Sequence, residues 1–225
     1  IGKFLFNGWM DGLVAVYFGF SALLFYILII EDQKSYIENN LFYYIAFCFF
    51  SILTLIKNEG TALLLILFFV GLLTNFFNNN FKKKSYVIFL LSLSFLPIIV
   101  WKLFCLYNNI GYSEHYNFNI LSTFLSRMYE FKNYQLVAYF LLLNEKFFIS
   151  FIFFLVSFWL NWDKKLFSYI IIITLLYLII LFFIFMSTPY DLYWQLDSTA
   201  ARVIRTLTFF ISFLSLYNLK IKINY

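Results

Sequence analysis

The sequence predicts an all-α, polytopic transmembrane helix bundle: about seven spanning helices in a single transmembrane domain over residues 1–225, with an amphipathic segment at one surface. Three observations predict it. Only 12% of the 225 residues are charged and 64% are hydrophobic, against about 25% charged in ordinary soluble domains. One residue in four is aromatic, with 34 Phe, 18 Tyr and 5 Trp. The apolar residues run unbroken over lengths close to the roughly 20 that a helix needs to cross a bilayer, without the period-2 alternation of a barrel strand. A water-soluble domain of this size has no interior large enough to hide such surface. Disorder is excluded by the same composition, and a disulfide scaffold by a cysteine content of two, Cys48 and Cys105, both inside apolar runs.

The expected spans cover roughly 10–30, 39–56, 61–77, 86–107, 145–161, 166–186 and 203–218. With 7 Gly and 2 Pro, little interrupts them, and Pro97 is the one proline inside a run. Residues 119–143 alternate polar and apolar groups in the manner of a helix lying on the outer surface. The chain starts at Ile1 and runs almost at once into a span with no signal peptide ahead, which reads as part of a longer protein.

The connections divide into two sets. Residues 31–40, 78–85, 162–165 and 219–225 hold eight lysines (Lys34, Lys82, Lys83, Lys84, Lys164, Lys165, Lys220 and Lys222) against Glu31, Asp32, Glu38 and Asp163. The opposite set has eight cations and seven acids and includes the long connections 108–144 and 187–202. Lysine-rich short loops face the cytoplasm, so seven crossings leave the C-terminus cytoplasmic and turn the second set outward. The net charge of +5 is spread too thinly for a nucleic-acid surface.

The outward connections carry the candidate chemistry. Asp11, one turn inside the first span, is either an N-terminal cap or a carboxylate that positions and deprotonates an acceptor. Lys57-Asn58-Glu59-Gly60 joins two spans. Gly60 suits a helix C-terminus and Glu59 the start of the next helix, yet a Lys and a Glu between apolar helices are costly unless paired or facing a wet cavity. A lysine there can also hold a lipid-linked phosphate. Arg202 and Arg205 are three apart, on one helix face, with Asp197 or Ser198 as cap. They form either an anion site or snorkelling cations beside an aromatic belt of Tyr190, Tyr193 and Trp194. His115, a lone loop histidine near Glu114, reads as a surface residue before a ligand or base, and no metal spacing is visible. Arg127 and Glu130 lie in the same connection.

In this order and at these helix boundaries, three outward motifs resemble the C-terminal part of the GT-C superfamily of polytopic membrane glycosyltransferases, which includes protein O-mannosyltransferase-like and lipid A aminoarabinose transferase-like enzymes. The stretch from Asn7 through Tyr17, with Asp11, is similar to a G-Y-x-D turn that opens a helix, here without the usual early Pro. Leu55-Ile56-Lys57-Asn58-Glu59-Gly60 resembles an L-T-K-x-E-G turn, with Ile56 in place of Thr. Ser187 to Arg202, with Tyr190, Asp191, Trp194 and Gln195, resembles a bacterial tail motif that usually has His where Gln195 stands.

The resemblance implies a polyprenyl-phosphate sugar as donor, no separate cofactor, and reaction at the non-cytoplasmic face, in a bacterial inner membrane. It implies that Asp11 lies near the acceptor or sugar, that Lys57 contacts the donor phosphate, and that Asn58, Glu59, Arg202 and Arg205 line the same site. It also implies that the family's first outer loop, with its principal catalytic Asp, precedes this chain, so that the chain alone is inactive. From other classes, a transporter or flippase of lipid-linked saccharides and a polysaccharide ligase or polymerase fit the composition. No internal repeat favours the first, and Arg127 alone is thin support for the second.

Overall fold

A computed structural model describes residues 2–31, 40–76, 81–110 and 120–223, and among these every regular element is helical. The order is α1 (Gly2–Phe25), a π-helical stretch (Tyr26–Glu31), α2 (Asn40–Ile56), α3 (Asn58–Phe76), α4 (Phe81–Leu93), α5 (Leu96–Tyr107), α6 (Ile120–Met128), α7 (Phe131–Leu142), α8 (Glu145–Leu160), α9 (Lys164–Ser187), α10 (Leu192–Gln195), a second π-helical stretch (Leu196–Ala200) and α11 (Ala201–Ile223).

Four stretches are long and apolar enough to cross a membrane: Met10–Ile29, Ser85–Tyr107, Lys164–Ser187 and Leu192–Lys220. A fifth candidate is the pair α7 and α8, bent by 62° at Leu143–Asn144. Among the described residues, four to five helices are thus long and apolar enough to span, which is consistent with a membrane protein. Within the described residues each of the seven expected runs is helical, but 39–56 and 61–77 yield the shorter apolar helices Leu41–Ile56 and Asn58–Leu73. The fourth run, expected to be one helix, breaks at Ser94–Phe95. Pro97 then sits in the first turn of α5, where its missing N–H costs nothing. Residues 119–143 are two helices, not one. Lys34, Glu114 and His115, and the side chains of Lys82, Lys83, Lys84 and Lys222, lie outside the described residues.

The bundle is built around α11, which packs against α1 on one side and α8 on the other. All three run in the same direction. Phe18 meets Phe210 at a centroid distance of 5.2 Å, Phe20 meets Phe213 at 4.9 Å, and the Asn161 side-chain amide donates to the carbonyl of Asn218 at 2.7 Å. Gly19 lets α11 lie close, because a Cβ there would be 2.7 Å from the Phe209 ring. α9 runs the opposite way. Its cap Asp163 accepts from Lys165 and Leu166 N–H and from the Tyr26 hydroxyl, and Tyr169 donates to the Ala22 carbonyl at 2.7 Å. One end of the bundle therefore gathers Tyr26 and Asp163. The other gathers the N-terminal parts of α8 and α11, the α2–α3 turn and the C-terminus of α9.

α5 buries none of its residues, and Trp101 and Phe104 are half exposed along it. A helix this apolar, packed against α2 with most of its surface bare, needs lipid or a partner over the rest.

Candidate functional site

Asp11 is the tenth residue of α1, so its backbone amide neighbours are already used within the helix and it is not a cap. Its carboxylate turns sideways and is 2% exposed. Asp11 Oδ1 accepts from Lys57 Nζ at 2.7 Å, Lys57 Nζ lies 3.1 Å from Glu59 Oε1, and Arg202 Nε lies 3.7 Å from Asp11 Oδ2. Three segments distant in sequence thus supply one cluster, as expected for a carboxylate and cations set among apolar helices.

The geometry of the α2–α3 turn fixes Lys57. It is the one residue between the two helices, and Gly60 N–H donates to its carbonyl at 2.9 Å. Gly60 is not the left-handed C-terminal glycine that the sequence suggested but the third residue of α3. Its missing side chain is required by contact, since a Cβ would lie 1.9 Å from the Leu53 carbonyl oxygen. Thr54 adds a hydrogen bond to the Ser51 carbonyl at 2.7 Å and one to the Ser94 carbonyl at 3.4 Å, tying the turn to the break before α5. Asn58 is exposed and adds no contact to the cluster.

Electrostatically the cluster is closed, because the charges of Lys57 and Arg202 match those of Asp11 and Glu59. Burial alone would lower the Lys57 pKa. The hydrogen bond that Lys57 donates to Asp11 and the fields of Glu59 and Asp11 outweigh it and raise the ammonium above its ordinary value. Asp11 Oδ2 and Arg202 Nε are buried and make no hydrogen bond among the described residues, their 3.7 Å separation being beyond that range. One carboxylate oxygen and one guanidinium nitrogen are therefore held close without being satisfied, which is a costly state.

Arg205 stands apart from this cluster. It is exposed and lines a groove of about 680 Å³ with Gly12 and Lys146. The two arginines do not form one anion site at a helix terminus, because α10 and a π-helical stretch precede α11. Asp197 and Ser198 lie inside that stretch and cap nothing. Asp191 caps instead, its Oδ1 accepting from Trp194 N–H at 2.9 Å.

Tyr190 and Trp194 are exposed, with ring centroids 5.9 Å apart. Gln195 Oε1 accepts from the Thr188 hydroxyl, a structural bond inside the loop. Glu130, also exposed, accepts from the Asn133 amide at 3.4 Å.

Two residues that sequence reasoning left aside are prominent. Arg127 reaches from α6 to the end of α9, donating to the carbonyls of Phe185 at 2.8 Å and Tyr190 at 2.5 Å. It holds the 188–191 loop to the last turn of α9. Burial lowers its pKa, and the field of Asp191 works against that. Lys146 is the other, a cation just inside the mouth of an apolar run, as Arg205 is. That shared position was the available signal. Among the described residues no group of His, Cys, Asp and Glu is arranged to hold a metal. No family model, curated protein or solved structure matches the chain.

Proposed function

We propose that the chain is the C-terminal part of a GT-C-like glycosyltransferase that transfers a sugar from a polyprenyl-phosphate donor to an acceptor on the non-cytoplasmic face. The single observation that carries this reading is the meeting of Asp11, Lys57 and Arg202 at one end of the bundle. They come from the three motifs whose order resembles that family. Displacing a sugar from a lipid phosphate needs charge stabilisation on the leaving phosphate and a base for the acceptor.

In the closed cluster, Asp11 and Glu59 occupy the cations that a phosphate would use. Donor binding exchanges partners: the phosphate takes Lys57 and Arg202, and the Asp11 carboxylate is released to orient and deprotonate the acceptor. Arg205, Asn58 and the Tyr190–Gln195 loop border the site. The orientation belongs to the same proposal: seven crossings of a bacterial inner membrane, lysine-rich connections in the cytoplasm, and the cluster facing out. In that arrangement α2 and α3 are tilted or partly protein-buried spans.

The test is binding of a polyprenyl phosphate to the protein in detergent. Lys57→Ala should weaken binding by about tenfold or more, the loss of one charge-assisted contact. Asp11→Asn, which removes a competitor for Lys57, should bind at least as tightly as wild type. Equal binding by wild type and Lys57→Ala would remove the donor role. A transporter of lipid-linked saccharides is favoured by one feature, the helix break at Ser94–Phe95 beside the α2–α3 turn. Saccharide flux in proteoliposomes without sugar transfer would select it.

A further inference from the structure

Beside the closed cluster lies a groove with the opposite electrostatic state. α1, α8 and α11 run parallel, and the groove follows them: Gly12 and Val16 on α1, Lys146 and Phe153 on α8, Arg205 and Ser212 on α11. Both cations sit at the end nearest the Asp11 cluster. From Arg205 to Ser212 the helix advances about 10 Å, within the half-thickness of a hydrocarbon core about 30 Å deep. Below the cations the lining is almost wholly apolar apart from Ser150, Thr208 and Ser212. The first two of these hydroxyls donate to carbonyls of their own helices.

The ion pairs among the described residues all belong to Asp11 and Glu59. Neither the Lys146 nor the Arg205 side chain makes an ion pair or hydrogen bond there, and no Asp or Glu lines the groove. Two cations on adjacent helices, with no carboxylate lining the groove, leave an uncompensated positive field at the end nearest the Asp11 cluster. Gly12 keeps the floor open, since a Cβ there would meet nothing within 4 Å.

We propose that this groove binds an anionic glycerophospholipid of the surrounding leaflet, its phosphate between Lys146 and Arg205 and one acyl chain along Val16 and Phe153. A zwitterionic headgroup is disfavoured because its ammonium would meet the same two cations and no acid. The polyprenyl carrier is disfavoured here because the groove's cations have no internal carboxylate to return to when a substrate leaves. That is the mark of a resident lipid. The inference does not depend on the glycosyltransferase reading and needs only the membrane setting.

The test uses the protein delipidated in mild detergent, with phosphatidylglycerol, phosphatidylcholine or a polyprenyl phosphate added and bound lipid counted by native mass spectrometry. Wild type should retain phosphatidylglycerol over phosphatidylcholine. The double variant Lys146→Gln, Arg205→Gln should weaken phosphatidylglycerol binding by about tenfold or more, and Lys146→Gln alone should weaken it in the same sense while leaving polyprenyl phosphate binding unchanged. Gly12→Phe fills the groove without touching either charge, suits a helix better than Gly, and should give the same loss. Equal retention of the two phospholipids, or phosphatidylglycerol binding unaltered in the double variant and in Gly12→Phe, overturns the proposal. So does loss of polyprenyl phosphate alone, which would give the groove to the carrier.

Discussion

At Gly60 a methyl group would be driven to 1.9 Å from the Leu53 carbonyl oxygen, a contact that only backbone movement relieves. The same turn presents Lys57 to Asp11, so packing and electrostatics fail together. Gly60→Ala should destabilise the protein by about 2 kcal/mol or more, read as a drop in melting temperature in detergent. Asp11→Asn isolates the charge component. Asp11 is buried while the Lys57 side chain is 34% exposed, so the cost falls between an exposed and a buried pair, about 1–3 kcal/mol.

The pH dependence follows from the raised Lys57 pKa. A base whose pKa is higher in the folded state stabilises fully below its unfolded value, near 10.5, and loses that contribution as pH rises through the folded value. Melting temperature should therefore fall above about pH 10.5, and Asp11→Asn should flatten the fall. That Lys57 and Glu59 would need partners was legible in the sequence, because ionised groups among apolar helices cannot stay alone. What Asp11 is not, a helix cap, was not legible, because α1 begins at Gly2, nine residues before Asp11 and ahead of the apolar run.

Helices α8 and α11 are joined at the end far from the cluster by a buried polar patch. The Asn218 side-chain amide donates to the Asn161 carbonyl at 2.8 Å and to the carbonyl and hydroxyl of Ser157, each at 3.2 Å. Ser157 in turn donates to the Ser215 carbonyl at 2.8 Å. Between apolar faces in lipid there is little hydrophobic gain from association, so such bonds and close packing set the pairing. Asn218→Leu keeps the apolar contact and removes the amide, and should cost about 1–2 kcal/mol in an unfolding titration. Ser157 keeps its Ser215 partner in that variant, so the cost measures Asn218 alone. Helix identity was readable run by run, since apolarity and length belong to each segment. The break at Leu143–Asn144 was readable as well, because Asn144, Glu145 and Lys146 part the segment 119–143 from the run that follows; the break at Ser94–Phe95 was not, because the run from 86 to 107 stays apolar through it. Nor was the reach of Arg127 to the Phe185 and Tyr190 carbonyls, which exists only once α6 lies over α9.

Across the whole molecule, direction follows from which residues meet. α9 is 24 residues long, about 36 Å, enough to cross a hydrocarbon core of about 30 Å. Its start is tied to Tyr26 through Asp163, and its end to Arg127 and the 188–191 loop. α1 links the same two ends in reverse, from Asp11 beside Lys57 to Tyr26 beside Asp163. Asn58 and Tyr190 must then share one side of the membrane, and Trp162 must take the other. All three are exposed, so cysteines placed there are open to reagent. With Cys48 and Cys105, both free thiols, replaced by Ala, Asn58→Cys and Tyr190→Cys should label together with an impermeant maleimide in intact cells. Trp162→Cys should label only after the membrane is opened. The opposite pattern with the same grouping would keep the helix arrangement but turn the cluster toward the cytoplasm and remove the outward-facing transferase reading. Labelling that divides Asn58 from Tyr190 would contradict the arrangement itself, since the α2–α3 turn and the end of α9 then could not close around Asp11.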